Sequence, residues 1–372
     1  AASRYSRPYN GQLLAIPPLE PPMSCSAVPP PAAETSEFAL IRRHFTRPTQ
    51  PQRQGVILGV GDDAAILQPT AGQDCVVSTD MLVAGRHFFA DTDPRRLGHK
   101  TLAVNLSDIA AMGGTPRWVT LAAALPSLDE AWVAAFAEGL FALADQYAVQ
   151  VVGGDTTRGP LTLCVHIMGE VPTGQALRRD GAQQGDDIWV SGTLGDACLA
   201  LQALQGQVTL PPELLARARQ RLEWPTPRVA LGQALRGVAS AALDVSDGLL
   251  GDLGHVLRAS GVGAEIDVAA TSNLIAARAC LQRLEGLFGS EFGAEFASAQ
   301  ELAQRCILAG GDDYELVFTA APTRRATVQQ CSQACGVPVT RIGHIQADPG
   351  LRLRQAKGMP VSMRYASFDH FA

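Results

Sequence analysis

The chain has 372 residues and a formal net charge of −6, with 47% hydrophobic and 18% charged residues. That is the composition of a globular protein able to bury sizeable cores, and a prior of roughly 150 residues per domain gives two domains. No basic stripe marks a nucleic-acid partner, and no apolar run of about 18 residues marks a membrane span.

In chain order, residues 1–36 are rich in proline and are expected to be a disordered leader; Met23 lies inside it. Order is expected from the N-cap signal Thr35–Ser36–Glu37 ahead of FALIRRHF. DCVVSTD (74–80) is predicted as a strand ending in polar residues. Asp93–Pro94 opens a predicted helix through LAVNLSDIAAM that stops at Gly113–Gly114. Residues 129–147 are a second amphipathic helix, followed by the strand VQVV, a turn at Gly153–Gly154–Asp155 and a strand over 161–171.

The polar, Gly-rich interval 172–187 separates the halves, giving domains at 37–172 and 173–372. The second half opens with the strand IWVSG and a helix starting at TLGDACLALQAL. Two helical patterns follow near 211–236, then the stretch ALDVSDGLLGD (242–252), the helix 248–261, and strands at 263–268, 313–320 and 337–345. Mixed strands and helices in each half make the fold class α+β, with two α/β-mixed domains.

Eight scattered cysteines lack CxxC spacing, and the seven histidines form no HExxH or HxH group. Zinc chemistry is therefore not indicated, and the thiols are expected to be mostly small core residues in a reducing cytoplasm. The informative residues are aspartates: Gly61–Asp62–Asp63, Ser78–Thr79–Asp80, Asn105 with Asp108, Gly154–Asp155, Asp244 with Asp247, and Gly311–Asp312–Asp313. Five groups follow a glycine or end a strand-like run, where Asp also serves as an ordinary turn or cap residue. Asp108 is different, since it sits inside an apolar helix on one stripe with Thr101, Asn105 and Met112. Converging carboxylates repel unless cations lie between them, and hard oxygen donors without His or Cys point to Mg²⁺ or Mn²⁺. Neither GxxxxGK[ST], nor GxGxxG after a strand, nor a kinase HRD and DFG set is present. If ATP is used, it is held through metals and not by a Walker lysine.

The stretches GVGDDAAIL, STDMLVAGRHF, KTLAVNLSDIAAMGGTP, VVGGDTTRGP, ALDVSDGLLGDLGH, GGDDYELVF and FDHF, in this order, resemble the thiamine-monophosphate kinases. These belong to the superfamily of aminoimidazole ribonucleotide synthetase and selenophosphate synthetase, and the resemblance runs from about Glu37 onward. It implies that fold in both halves and ATP-dependent phosphorylation of thiamine monophosphate to thiamine diphosphate. It further implies several Mg²⁺ ions, a cytoplasmic homodimer formed by the N-terminal halves, and no nucleic-acid or membrane partner. Carried over position by position, Asp63, Ser78, Thr79, Asp80, Asp108, Asp155, Asp244 and Asp247 would hold Mg²⁺. Gly154, Asp155, Arg179 and Ser246 would contact ATP, and His87, Asp312 and Tyr365 would face thiamine monophosphate. No general base is expected, because a phosphomonoester with a second pKa of about 6 is already a nucleophile at neutral pH. Two departures concern substrate affinity: the family usually has Glu at the position of Asp312 and Trp at that of Tyr365. A selenophosphate synthetase-like or hydrogenase-maturation-like enzyme is the alternative within the superfamily.

Overall fold

The computed structural model describes residues 41–46, 55–276 and 299–355. A π-helical turn at Ile41–Phe45 precedes an antiparallel pair, β1 (Val56–Leu58) and β2 (Ile66–Leu67), joined by the segment carrying Asp62 and Asp63. β3 (Gln73–Val83) leads to α1 (Pro94–Ala111), which starts with Pro94 at its first position and with the Asp93 carboxylate accepting the Arg96 N–H. β4 (Thr115–Leu125) and β5 (Gln150–Arg158) run parallel and therefore need a crossover, which α2 (Glu130–Gln146) supplies under the Asp129 cap. β6 (Thr162–Pro172) inserts between β3 and β4, antiparallel to both, so the sheet order is β3-β6-β4-β5.

Register sorts this sheet into two faces. Asp80 pairs with Val165 and Leu82 with Leu163, and their face is buried under α1 and α2 with Phe136, Leu140 and Ile109. Thr79 pairs with His166, Met81 with Cys164, and Ala122 with Asp155, all on the opposite face. There β1 and β2 pack over Trp118 and Met168, while Val77 and Met81 remain 52% and 55% exposed.

The C-terminal half begins with β7 (Asp187–Ser191), α3 (Asp196–Leu204), α4 (Pro212–Glu223) and α5 (Val229–Ala234). Then come β8 (Ala241–Val245), α6 (Leu249–Ser260), β9 (Gly263–Asp267), α7 (Val268–Thr271) and α8 (Ala299–Ala309). β10 (Glu315–Ala320), α9 (Arg325–Cys335), β11 (Val339–Gln346) and β12 (Gly350–Arg354) complete it. The six strands order as β12-β9-β11-β7-β10-β8, antiparallel except at β12–β9. β7, β8 and β10 are buried along their whole length, which is why they read as short apolar runs without alternation. Both sheets belong to one unit spanning residues 36–372. Among the described residues no helix is long and apolar enough to cross a membrane.

Many elements fall where the sequence predicts them; β1, β2, α7, α8, α9 and β12 had no prediction, and four further differences stand out. The turn expected at Gly153–Gly154–Asp155 lies inside β5. Gly154, at φ +154°, passes so near β4 that a Cβ would meet the Leu121 carbonyl oxygen at 2.0 Å. β4 is not legible in the sequence, because Ala122, Ala123 and Ala124 carry little strand preference and Pro116 reads as a breaker. Asp80 lies inside β3, not at its end, since β3 continues to Val83. Of six described cysteines only Cys306 is buried; Cys75 and Cys164 line the open side of the four-stranded sheet. The leader, Cys25, Cys280 and Tyr365 lie outside the described residues.

Candidate active site

α1 is buried on nearly all sides because both halves pack on it. On one side Asp108 accepts the Ser78 hydroxyl of β3, and Asn105 accepts the Asp80 N–H at 3.2 Å through Oδ1. On the other, Ser107 Oγ donates to Asp244 Oδ2 of β8 at 2.7 Å. The polar stripe Thr101–Asn105–Asp108 is therefore the face turned to β3, with Thr101 Oγ1 bonded back to the Leu97 carbonyl at 2.7 Å.

Where the halves meet around α1 lies a cavity of about 550 Å³ whose walls include Asp80, Asp108, Asp244, Ser246 and Asp247. His87 and Asp312 line it as well. Burial, then the charges of Asp108 and Asp247, push the Asp80 carboxyl up to about 7. Burial also raises Asp108, against the opposing pull of the Ser78 hydroxyl and the Arg179 charge. Asp244 stands well above the usual carboxylate range, first through burial and then through Asp108, although Ser107 hydrogen-bonds to it. A divalent cation brought among these carboxylates would lower all of these costs.

The loop after β8 is shaped by Asp252, whose Oδ2 accepts the N–H groups of Ser246, Asp247 and Gly248 at 3.0, 3.0 and 3.1 Å. Of the two roles its place on α6 suggests, surface or cap, Asp252 takes the cap: it is buried against the helix N-terminus, and burial pushes its carboxyl up to about 7. Asp252 thus braces the turn that presents Ser246 and Asp247.

Facing them, Asp312 adopts φ +66° and donates its N–H to the Ser246 carbonyl at 2.8 Å. A Cβ on the preceding Gly311 would meet that same carbonyl oxygen at 2.2 Å, so the close approach requires glycine. His87 Nδ1 accepts the Val83 N–H at 3.0 Å, which leaves the ring proton on Nε2. Arg178 is clamped by Asp180, whereas the charge of Arg179 acts on Asp108 and His255; neither is part of the cavity wall.

The remaining sequence-predicted residues lie elsewhere. Asp63, Gly154 and Asp155 line a second cavity of about 790 Å³ beside α2, and both carboxylates are exposed. Thr79 points to the open face of the four-stranded sheet and hydrogen-bonds His166 Nδ1. Among the described residues no three carboxylate, imidazole or thiol side chains converge as a finished metal site does. Mg²⁺ commonly takes one or two carboxylates and completes its shell with water and substrate phosphates, so donors spread over a cavity wall fit it. Residues that sequence reasoning missed are Lys100, Ser107 and Tyr314. A single lysine amid the apolar residues of α1 was the available signal for the first.

Residues 61–171 match the AIR synthase related protein N-terminal domain, and residues 183–355 match its C-terminal domain. The thiamine-monophosphate kinase of Salmonella typhimurium is 46% identical over 338 residues, 90% of this chain and 98% of the relative. The chain belongs to the AIR synthase related family, in its thiamine-monophosphate kinase branch. The branch member from Escherichia coli K12 is 44% identical over 340 residues, covering 90% of this chain and 98% of the relative. Among solved structures, thiamine-monophosphate kinase from Stenotrophomonas maltophilia K279a shares 49% identity at a TM-score of 0.73, covering 86% of this chain and 96% of that one. AaThiL complexed with AMPPCP and TMP shares 28% at 0.67, over 90% and 97%. The hydrogenase maturation protein HypE of E. coli, at 22% identity and TM-score 0.67 over 88% and 96%, shares the family fold.

Proposed function

We propose that this chain transfers the γ-phosphoryl group of ATP to the phosphate of thiamine monophosphate, giving thiamine diphosphate and ADP. The observation that carries this is the meeting of Asp80 and Asp108 from one half with Asp244 and Asp247 from the other. They share one cavity with His87 and Asp312, in a chain 46% identical to a thiamine-monophosphate kinase across 90% of its length. AaThiL, which shares the fold, is a complex with an ATP analogue and TMP.

Asp80, Asp108, Asp244 and Asp247, with Ser78, are the residues that would hold Mg²⁺ in the first cavity, and Asp63, Thr79 and Asp155 would do so outside it. When bound, the metal ions neutralise the charge of the phosphates and keep donor and acceptor in line. The chain's own residues bind and orient. Ser246 engages ATP at the first cavity, Arg179 reaches it from outside the cavity wall, and Gly154 offers backbone beside Asp155 at the second. His87 Nε2–H is a donor for the acceptor substrate and Asp312 an acceptor. Tyr365 is assigned to an aromatic contact with the same substrate. No side chain needs to remove a proton, since the acceptor phosphate is already an oxyanion.

The enzyme is proposed to be a cytoplasmic homodimer closed through the open face of the four-stranded sheet, where Val77 and Met81 are exposed beside Thr79 and Asp155. That would put Thr79 and Asp155 at the subunit boundary. Incubation with ATP, Mg²⁺ and thiamine monophosphate, followed by chromatography, tests the function. One thiamine diphosphate per ADP is expected; inorganic phosphate without thiamine diphosphate overturns it.

A further inference from the structure

Lys100 on α1 is 3% exposed, and its Nζ donates to Asp312 Oδ1 at 2.6 Å across the junction of the two halves. It also approaches the His87 carbonyl at 3.5 Å. One ammonium thus touches both described residues assigned to the acceptor substrate. A buried ammonium is costly unless paired, so its position is dictated by Asp312. Asp312 is fixed in return: its backbone by the Ser246 carbonyl, and Oδ1 by Lys100 and by the Tyr314 hydroxyl at 3.3 Å. Oδ2 receives no hydrogen bond from the described residues. Asp312 and His87 line both the main cavity and a side cavity of about 80 Å³, which Lys100 borders.

We propose that Lys100 is a positioning residue for the acceptor substrate. It turns the Asp312 carboxylate so that Oδ2 is the acceptor offered to the substrate, and it cancels much of the carboxylate's charge. The pair then selects a hydrogen-bond donor on a flat ring, as the exocyclic amine of an aminopyrimidine provides, over a bare cation. A longer carboxylate could reach the substrate unaided; an aspartate needs its orientation set by a neighbour. The inference rests on the placement of thiamine monophosphate at His87 and Asp312.

A double-mutant cycle tests it, using Lys100→Met, Asp312→Asn and the double variant, with KM measured for each substrate and thermal unfolding followed in parallel. Lys100→Met is expected to raise KM for thiamine monophosphate about tenfold and to leave KM for ATP within about twofold. The double variant should bind no worse than Asp312→Asn, because both changes remove the same contact. If Lys100→Met does not fold, the double variant, which buries no unpaired charge, still gives the comparison with Asp312→Asn. An unchanged KM for thiamine monophosphate in Lys100→Met, parallel changes in both KM values, or additive losses in the double variant would make Lys100 only a tie between the halves. An Asp312→Asn variant that binds thiamine monophosphate normally would instead overturn the substrate placement itself.

Discussion

Replacing Asp108 by Asn should stabilise the metal-free protein while slowing turnover about a hundredfold or more. The size of the first effect follows from the crowding around Asp80, pushed from 3.8 to about 7 by burial first and Asp108 second. Moving a carboxyl from 3.8 to about 7 is worth about 4 kcal/mol in all. The share carried by one neighbouring charge is on the order of 1 kcal/mol, and Asp244 is relieved in the same direction. The amide keeps an oxygen for the Ser78 hydroxyl, so local packing is retained. A rise in Tm of about 2 °C at pH 8 in EDTA is expected. Mg²⁺ should then raise the Tm of the wild type more than that of the variant, since ligand stabilisation follows affinity. Loss of one metal or oxyanion contact accounts for the rate effect. Calorimetry with and without Mg²⁺, alongside ADP release, measures both. A lower Tm in EDTA, or near wild-type turnover at low millimolar Mg²⁺, would refute the reasoning.

Asp252→Ala strips three N–H groups of their acceptor and should cost about 2–4 kcal/mol. It should also raise KM for ATP, whereas Asp252→Asn, which keeps an oxygen, should do less of both; equal effects would count against the brace. Asp80 and Asp252, both pushed up to about 7, hold more protons folded than unfolded between about pH 4 and 7. Their contribution to stability therefore declines as pH rises through that window, and the metal-free Tm of Asp80→Asn should lose less between pH 5 and 8 than that of the wild type. Arg179→Ala should raise KM for ATP about tenfold while Arg178→Ala, which only frees Asp180, stays within about twofold; the reverse order would exchange their roles.

The legible part of the site was its residue type. Glycines followed by aspartates, and a carboxylate inside an apolar helix, singled out Asp80, Asp108, Asp244 and Asp247, and these do meet in one cavity. What one-dimensional spacing could not carry was the facing of side chains. Ser78 and Thr79 are neighbours in sequence, yet β pleating sends them to opposite sides of the sheet. Asp252 reads from sequence as a surface or cap residue one turn into a helix; it caps, and its burial came from the loop that folds back over it. Lys100 stands out as a lone lysine among apolar residues, but its partner could not be read, since it lies 212 residues away. End signals located α1, and amphipathic spacing α2, nearly to the residue, while alanine-rich β4 gave no such signal.

Because α1 is shared by both halves, the cavity cannot exist before both have folded. Asp80 and Asp244 lie in separate sheets and meet only across α1, through the Ser78–Asp108 and Ser107–Asp244 bonds. Contacts between such distant parts of the chain close late, since loop entropy must be overcome first. During refolding, helical signal and burial of Trp118 within the N-terminal sheet should return ahead of nucleotide affinity. The lag between them is then a clock for the docking of one half onto the other.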